Sequence, residues 1–250
     1  MNIEGANAFI SGASGGLGAM IATKLAEAGA NIAIGYRESR ERAEKIADTV
    51  FSLGQHAVLV QLDQTSAVSI DTAVEDASKA LGGLDMLVNN AGGCGPDIAV
   101  GDLEALTSEI WDELMALNVR GPYLLARAAA PLLRSSKWGR IINIGSTIGN
   151  GTWGIEKSFA PSKASVSPLT RFLAAALAPD VTVNCVAPGL IEDTGLTTGM
   201  SKEAVNNWKH QSVLGSTTSM GEVADQVVAF CKSERITGQT LVVDGGIHFH

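Results

Sequence analysis

The sequence predicts one α/β domain, a doubly wound parallel sheet of about seven strands with helices on both faces. Three observations predict it. Short apolar, β-branched runs alternate with longer stretches of helical period along the whole chain. A glycine-rich stretch, "SGASGGLG" (11–18), lies between the first such run and the first helical one. No Pro/Ser-rich linker, repeat or low-complexity segment divides the 250 residues, a length that one large core can occupy.

"NAFIS" (7–11) reads as a buried strand. "GLGAMIATKLAEAG" follows, with Leu17, Met20, Ile21 and Leu25 on one face and Gly29 as its C-cap. "NIAIG" (31–35) is a second strand, and 38–53 is a charged amphipathic helix. "AVLVQL" (57–62) precedes a helix over about 66–81, and "LDMLVN" (84–89) follows it. After a Gly-rich loop, "SEIWDELMALNVRGPYLLARAAAPLLR" reads as one long helix or two. "RIINIG" (140–145), a helix over about 160–178, "VTVNCV" (181–186) and "TLVVD" (240–244) complete the series. Parallel strands need crossover connections, so strands separated by helices imply a parallel sheet covered on both faces. A (β/α)₈ barrel suits the length, but seven strands are counted and the first turn points to an open sheet.

Composition excludes several functions. Hydrophobic residues make up 46 % and charged residues 18 %, which places the chain among globular proteins. A formal net charge of −8 with no Lys/Arg cluster disfavours a nucleic-acid partner. No apolar run approaches the roughly 18 residues that span a bilayer. "MNIEGANAFISG" lacks the basic and apolar regions of a signal peptide. Cys94, Cys185 and Cys231 have neither disulfide nor zinc-ligand spacing, so a cytoplasmic, thiol-reduced protein without a metal is expected. No His-based triad appears.

In the glycine-rich turn, Gly12, Gly16 and Gly18 let the backbone turn tightly, approach a pyrophosphate and pack against the strand. The helix N-terminus beyond offers free N–H groups and a partial positive charge. A dinucleotide cofactor is therefore expected. In such folds an acid at the end of the second strand holds the adenosine ribose hydroxyls. Here Tyr36 stands at that position and Arg37 follows, with Ser39 and Arg40 nearby. A guanidinium grips a 2′-phosphate through charge-assisted bonds, which favours NADP(H) over NAD. Arg42 and Lys45 read as solvating the helix that follows.

The spacing is Gly-x-x-x-Gly-x-Gly. Together with "NNAG" (89–92), Asn118, Ser146, Lys163, "APG" (187–189) and "DGG" (244–246), it resembles the short-chain dehydrogenase/reductase family, and most of all its NADPH-dependent carbonyl reductases of the β-ketoacyl reductase kind. The resemblance covers nearly the whole chain. It implies a single Rossmann-type domain over 1–250, strand order 3-2-1-4-5-6-7, and a homodimer or homotetramer. The Ala- and Leu-rich helices around 105–135 and 160–178 would form its interface. It implies NADP(H) contacts from Gly12, Ser14, Gly16, Leu17, Gly18, Arg37, Asp63, Asn90, Ala91, Gly92, Lys163, Pro188, Gly189 and Ile191. The family often has Thr five residues after the "APG" proline; Asp193 stands there, with Thr194 next to take the contact after a loop shift. As a capping residue, Asp63 would instead begin the helix near Ser66.

In the family a Tyr hydroxyl protonates the alkoxide formed by hydride transfer. A Lys four residues on lowers its pKa and bonds the nicotinamide ribose, a Ser bonds the substrate oxygen, and an Asn holds a relay water. By resemblance these positions are Phe159, Lys163, Ser146 and Asn118. Phe159 has no proton to give. Either the native residue is Tyr and this chain carries a Tyr-to-Phe change in an otherwise complete site, or Phe is natural and Ser146, a relay water or a lid acid supplies the proton, with Glu156 as a further candidate.

The segment 192–216 is poor in core residues and fits a substrate lid, with Trp153, Trp208 and the 92–98 loop lining the pocket and His210 on the surface. The expected substrate is a small ketone, aldehyde or alcohol. A non-redox lyase or isomerase, or an NADP-sensing protein, on the same fold is the competing expectation.

Overall fold

The computed structural model describes residues 2–96, 102, 104–150, 159–195, 197, 198 and 200–249. Its order is β1 (Asn7–Ile10), α1 (Gly16–Glu27), β2 (Asn31–Tyr36), α2 (Arg40–Ser52), β3 (Ala57–Gln61), α3 (Ala67–Leu81), β4 (Met86–Asn89) and α4 (Ser108–Met115). A π-helical turn (Ala116–Arg120) leads into α5 (Gly121–Ser135), then β5 (Arg140–Ile144) and a 3₁₀ turn (Thr147–Asn150). There follow α6 (Phe159–Ala164), α7 (Val166–Leu177), β6 (Thr182–Pro188), α8 (Lys202–Gln211), α9 (Met220–Lys232) and β7 (Thr240–Val243). Every strand pair is parallel, and the sheet runs β3-β2-β1-β4-β5-β6-β7, as expected.

Because successive strand side chains point to opposite faces, each strand feeds two cores. Ala8 and Ile10 of β1, with Ile142 of β5, meet Ile21 and Leu25 of α1 and Val223 and Val227 of α9. Phe9 and Ile141, one residue out of step, meet Ile70 and Val74 of α3, Leu125 and Leu133 of α5, and Leu173 of α7. All seven expected strands form, shifted by at most two residues at their ends.

The helices differ more. The 108–134 stretch forms two helices, α4 and α5, with a π turn joining them. Pro122 explains it: it has no N–H for the carbonyl of Asn118, four residues back, and its ring crowds that carbonyl. Gly121 N–H instead reaches the Ala116 carbonyl. The expected 160–178 helix breaks at Ser165 for the same reason, because Pro168 offers nothing to Ala164. Helix α9 was not expected, although Val223, Ala224, Val227, Phe230 and Cys231 recur at helical spacing and are all buried.

Candidate active site

The C-terminal ends of β1, β4, β5 and β6 gather the residues singled out above. Gly12 has φ 67°, and a Cβ there would stand 3.0 Å from Ala91 Cα. Gly18 presses closer still: its Cβ would overlap the Gly12 carbonyl and lie 2.6 Å from Asn90 Nδ2. Ser11 Oγ accepts from the backbone N–H groups of Asn90 (3.1 Å) and Ala91 (3.0 Å). Asn90 Nδ2 donates in return to the carbonyls of Ser11 (3.0 Å) and Gly12 (3.2 Å). "NNAG" is thus bolted to the glycine turn. The start of α1 has no side-chain cap and no acid in its first turn. Gly16, with φ 54°, is exposed there beside half-buried Ser14 and Leu17. An open, uncapped, acid-free helix start fits the pyrophosphate of a dinucleotide.

At the end of β2, Tyr36 is buried and Arg37 is exposed, its Nε 3.6 Å from the Glu38 carboxylate. Arg37, Gln61 and Asp63 line one groove with Ser69, Thr72 and Asp76. Asp63 accepts from Thr65 N–H (2.9 Å) and Thr65 Oγ1 (2.7 Å), and these bonds hold its carboxyl below the usual range. It does not cap α3; Ser66 does, accepting from Ser69 N–H.

Lys163 lies on α6 with its side chain buried. Its ammonium donates to the Ile144 carbonyl at 2.9 Å, and burial pushes its pKa down to about 8. The ring of Phe159, one turn earlier and also buried, has its centroid 5.9 Å from Nζ. Two residues beyond Ile144, half-buried Ser146 accepts through Oγ from Ile148 N–H at 3.3 Å. The 3₁₀ turn carrying this loop lies tight on α6: a Cβ on Gly149 would sit 2.5 Å from Ala164 N. That contact fixes the Ser146 loop against the Lys163 helix.

Asn118 sits in the π turn, where such irregularities often mark functional sites. Its Oδ1 accepts from Gly93 N–H (3.1 Å), while Nδ2 donates to the Gly93 carbonyl (2.8 Å) and Ser162 Oγ (3.0 Å). Ser162 Oγ donates onward to the Phe159 carbonyl at 2.7 Å. Both amide donors are engaged, so the side chain clamps the loop after β4 to α6. A Cβ on Gly92 would stand 2.9 Å from Asn118 Oδ1 and 3.3 Å from Lys163 Nζ. Asn118, Gly92, Lys163 and Phe159 therefore form one cluster.

Beyond β6, a Cβ on Gly189 would meet Asp244 Cβ at 2.8 Å, which packs "APG" on "DGG". Asp244 accepts from the N–H groups of Gly246, Ile247 and His248, tying the segment after β7. Ile191, two residues past Gly189 and next to Pro188's strand end, bridges to Thr218. Asp193 adopts φ 59°, and this left-handed residue turns Thr194 toward the glycine turn. Thr194 Cβ is the nearest atom, at 4.0 Å, to a Cβ built on Gly16. Helix α8 of the expected lid buries no residue, and Glu192 ties it down through Lys209 at 2.9 Å. Trp208 is half-buried and His210 exposed. Trp153, Glu156 and residues 97–98 lie outside the described residues.

Sequence reading missed three polar residues that hold these loops, Ser11, Gln64 and Ser162, and gave Asp244 no role beyond its place in "DGG". Gln64 is buried and donates to the carbonyls of Ala91 (3.0 Å) and Leu117 (2.9 Å). A small or polar residue next to a motif was the only signal available. Among the described residues, no group of three or more His, Cys, Asp or Glu side chains is placed to hold a metal ion. No helix among them is long and apolar enough to cross a membrane.

The profile of a family described as enoyl-(acyl carrier protein) reductase matches residues 12–248. The 3-oxoacyl-[acyl-carrier-protein] reductase of Aquifex aeolicus is 35 % identical over 253 residues, covering 99 % of each chain. That of Escherichia coli is 34 % identical over 251 residues, again covering 99 % of each. A short-chain dehydrogenase from Burkholderia cenocepacia, solved in complex with NADP, superposes with a TM-score of 0.89 at 34 % identity, covering 99 % of each chain. A short-chain dehydrogenase/reductase from Serratia marcescens gives 0.90 at 32 %, with the same coverage. Sheet order, glycine turn and whole-length identity converge, and the chain belongs to the short-chain dehydrogenase/reductase family.

Proposed function

We propose that this protein is an NADP(H)-dependent oxidoreductase that interconverts a carbonyl and an alcohol, with Phe159 at the position of the proton donor. One observation carries the reading. Lys163 is buried with its ammonium on the Ile144 carbonyl, beside Gly92 and one helical turn from Phe159, where core packing alone favours an apolar side chain. A buried cation next to a nucleotide-ready turn is expensive to fold and useful for chemistry.

Gly12, Ser14, Gly16, Leu17 and Gly18 would cradle the pyrophosphate, and Arg37 and Asp63 the adenosine end. Asn90, Ala91, Gly92, Pro188, Gly189, Ile191 and Thr194 would line the nicotinamide end. When bound, the reduced cofactor supplies the hydride. Lys163 would bond the ribose hydroxyls, and its charge favours an anion forming nearby. Ser146 Oγ would donate to the substrate oxygen and stabilise the developing alkoxide. With Pro122 offering no N–H, the Asn118 carbonyl is the natural anchor for a water behind Lys163, while the Asn118 amide fixes the loop. Phe159 contributes shape and dryness but no proton.

The substrate is a ketone or aldehyde, and the relatives' names favour a 3-oxoacyl thioester. A homodimer or homotetramer is supported by Trp111, Tyr123 and Phe172, which α4, α5 and α7 expose on the expected interface helices. The test incubates the protein and its Phe159→Tyr variant with NADPH and a panel of ketones, aldehydes and 3-oxoacyl thioesters, following NADPH oxidation. Turnover by the Tyr variant establishes the reading. Tight NADPH binding with no turnover of any carbonyl by either protein overturns it in favour of a non-redox or sensing role.

A further inference from the structure

We infer that Arg42 is a second cation gripping the adenosine 2′-phosphate, and that it sets selectivity for NADP(H) together with Arg37. The inference rests on the cofactor reading above. Sequence position alone assigned Arg42 to a solvated helix face, because α2 is charged throughout. The structure separates the basic residues of that helix. Arg40 pairs with Glu44 at 3.0 Å and Lys45 with Glu41 at 2.8 Å, both one turn away along the helix. Arg42 has no ion pair or side-chain hydrogen bond among the described residues.

Its guanidinium instead reaches across to the glycine turn. Nη1 of Arg42 lies 4.0 Å from the position of a Cβ on Gly15, and among the described residues no other atom beyond Gly15's own chain neighbours comes as close. Gly15 has φ 177°, an extended conformation open to any residue, so backbone strain does not call for glycine there. What the missing side chain leaves is room, and Arg42 occupies its edge. The turn below presents the uncapped, acid-free start of α1. Arg37, on the loop between β2 and α2, is the other cation at this end; its ion pair is a 3.6 Å approach of exposed Glu38, and the Asp63 carboxylate in the same groove also feels its charge. A dianionic group placed between the β2 end and Gly15 is then flanked by two guanidiniums. An adenosine with a free 2′-hydroxyl offers them a neutral acceptor and no charge-assisted pairing.

The test measures binding by calorimetry, without substrate, for NADPH, NADH, 2′,5′-ADP and 5′-AMP. A charge-assisted bond to phosphate is worth roughly 10- to 100-fold in affinity. Arg42→Ala is expected to weaken NADPH and 2′,5′-ADP by at least tenfold, leave NADH and 5′-AMP unchanged, and leave the melting temperature of the free protein unchanged. Arg42→Lys is expected to recover part of the loss. An equal loss for NADPH and NADH, or no loss for either, overturns the inference. Arg37→Ala separates its failure from failure of the cofactor reading. If Arg37→Ala loses NADPH preference while Arg42→Ala keeps it, Arg42 alone is misassigned. If the unaltered protein binds NADH as tightly as NADPH, or binds neither, both readings fall.

Discussion

Replacing Phe159 by Tyr adds one oxygen to an otherwise assembled site, and its effect follows from what already surrounds the ring. Lys163 Nζ is 5.9 Å from the ring centroid. At that separation and an effective dielectric of about 20, an ammonium favours a phenolate by about 3 kcal/mol. This pulls the new hydroxyl down from the ordinary tyrosine range toward neutrality, where a general acid works best. General acid catalysis is worth about 10²- to 10⁴-fold, so Phe159→Tyr should raise kcat for carbonyl reduction by that factor, about 3–5 kcal/mol of barrier. NADPH affinity should barely move, because the proposed cofactor contacts lie on the glycine turn, Arg37 and Lys163.

The assay is steady-state NADPH oxidation from pH 6 to 10 with the best carbonyl of the panel, alongside NADPH binding. Reduction consumes a proton, so the Tyr variant should be fastest while the hydroxyl is protonated and slow as pH rises through its pKa. A variant no faster than the parent, when the parent already turns over rapidly, would refute the reasoning: another group would then be donating the proton. A large change in NADPH affinity would refute the claim that Phe159 touches only the chemical step.

Other perturbations have equally definite outcomes. Lys163 has its pKa lowered from 10.5 to about 8 by burial, so the unfolded chain binds more protons between those values and stability rises with pH across that window. Below pH 8 the penalty is fully present, about 3 kcal/mol, and Lys163→Met removes it while losing a bond worth roughly 1 kcal/mol. The variant should melt about 4–8 °C higher at pH 7, show a flatter profile from pH 8 to 10.5, and turn over nothing. Gly18→Ala drives a methyl into the Gly12 carbonyl and Asn90. It should cost about 1–3 kcal/mol, seen as a lower melting temperature, together with weakened nucleotide binding. Cys185 and Cys231 are buried, and burial pushes their thiols up to about 11 and about 12. Alkylation of the folded protein at pH 8, mapped by mass spectrometry, should therefore label half-buried Cys94 and spare both.

How much of this was legible in the chain depends on the range of the forces involved. All seven strands could be read because each is a short apolar run, and the central ones are buried on both faces, as with β5, whose five residues are all buried. The glycine turn was legible because its residues are adjacent. The break of the 160–178 helix was not legible because Pro168 acts four residues back, on Ala164, and the π turn ahead of Pro122 left no local signal either. Helix α9 was overlooked despite its apolar stripe, because it follows a polar stretch with no strand signal before it. The site's fastenings are a different matter. Ser11 to Asn90, Gln64 to Leu117 and Asn118 to Ser162 span 79, 53 and 44 residues, so no local pattern announces them. Arg42 belongs with these, since only the approach of α2 to the glycine turn distinguishes it from Lys45.

The environment of Lys163 constrains what Phe159 means. A lysine buried with one carbonyl partner opposes folding, and a well-packed apolar residue there would stabilise the domain. The Asn118 clamp adds three hydrogen bonds, one buried and two partly buried, whose joint effect is to hold Gly93 and Ser162 around that lysine. Packing explains Phe159 but explains neither of these. A phenol at 159 would have supplied a polar neighbour for the ammonium, so its absence leaves the burial penalty on Lys163 less compensated and its pKa lower. Adding a hydroxyl therefore acts on both groups at once: the ammonium is favoured by the new dipole, and the phenolate by the ammonium. The two protonation equilibria become coupled, and the pH profile of the Tyr variant reports the pair rather than either residue. In the proposed site, Phe159 separates the fold's stability from the chemistry: it keeps the packing of the helix and offers no proton.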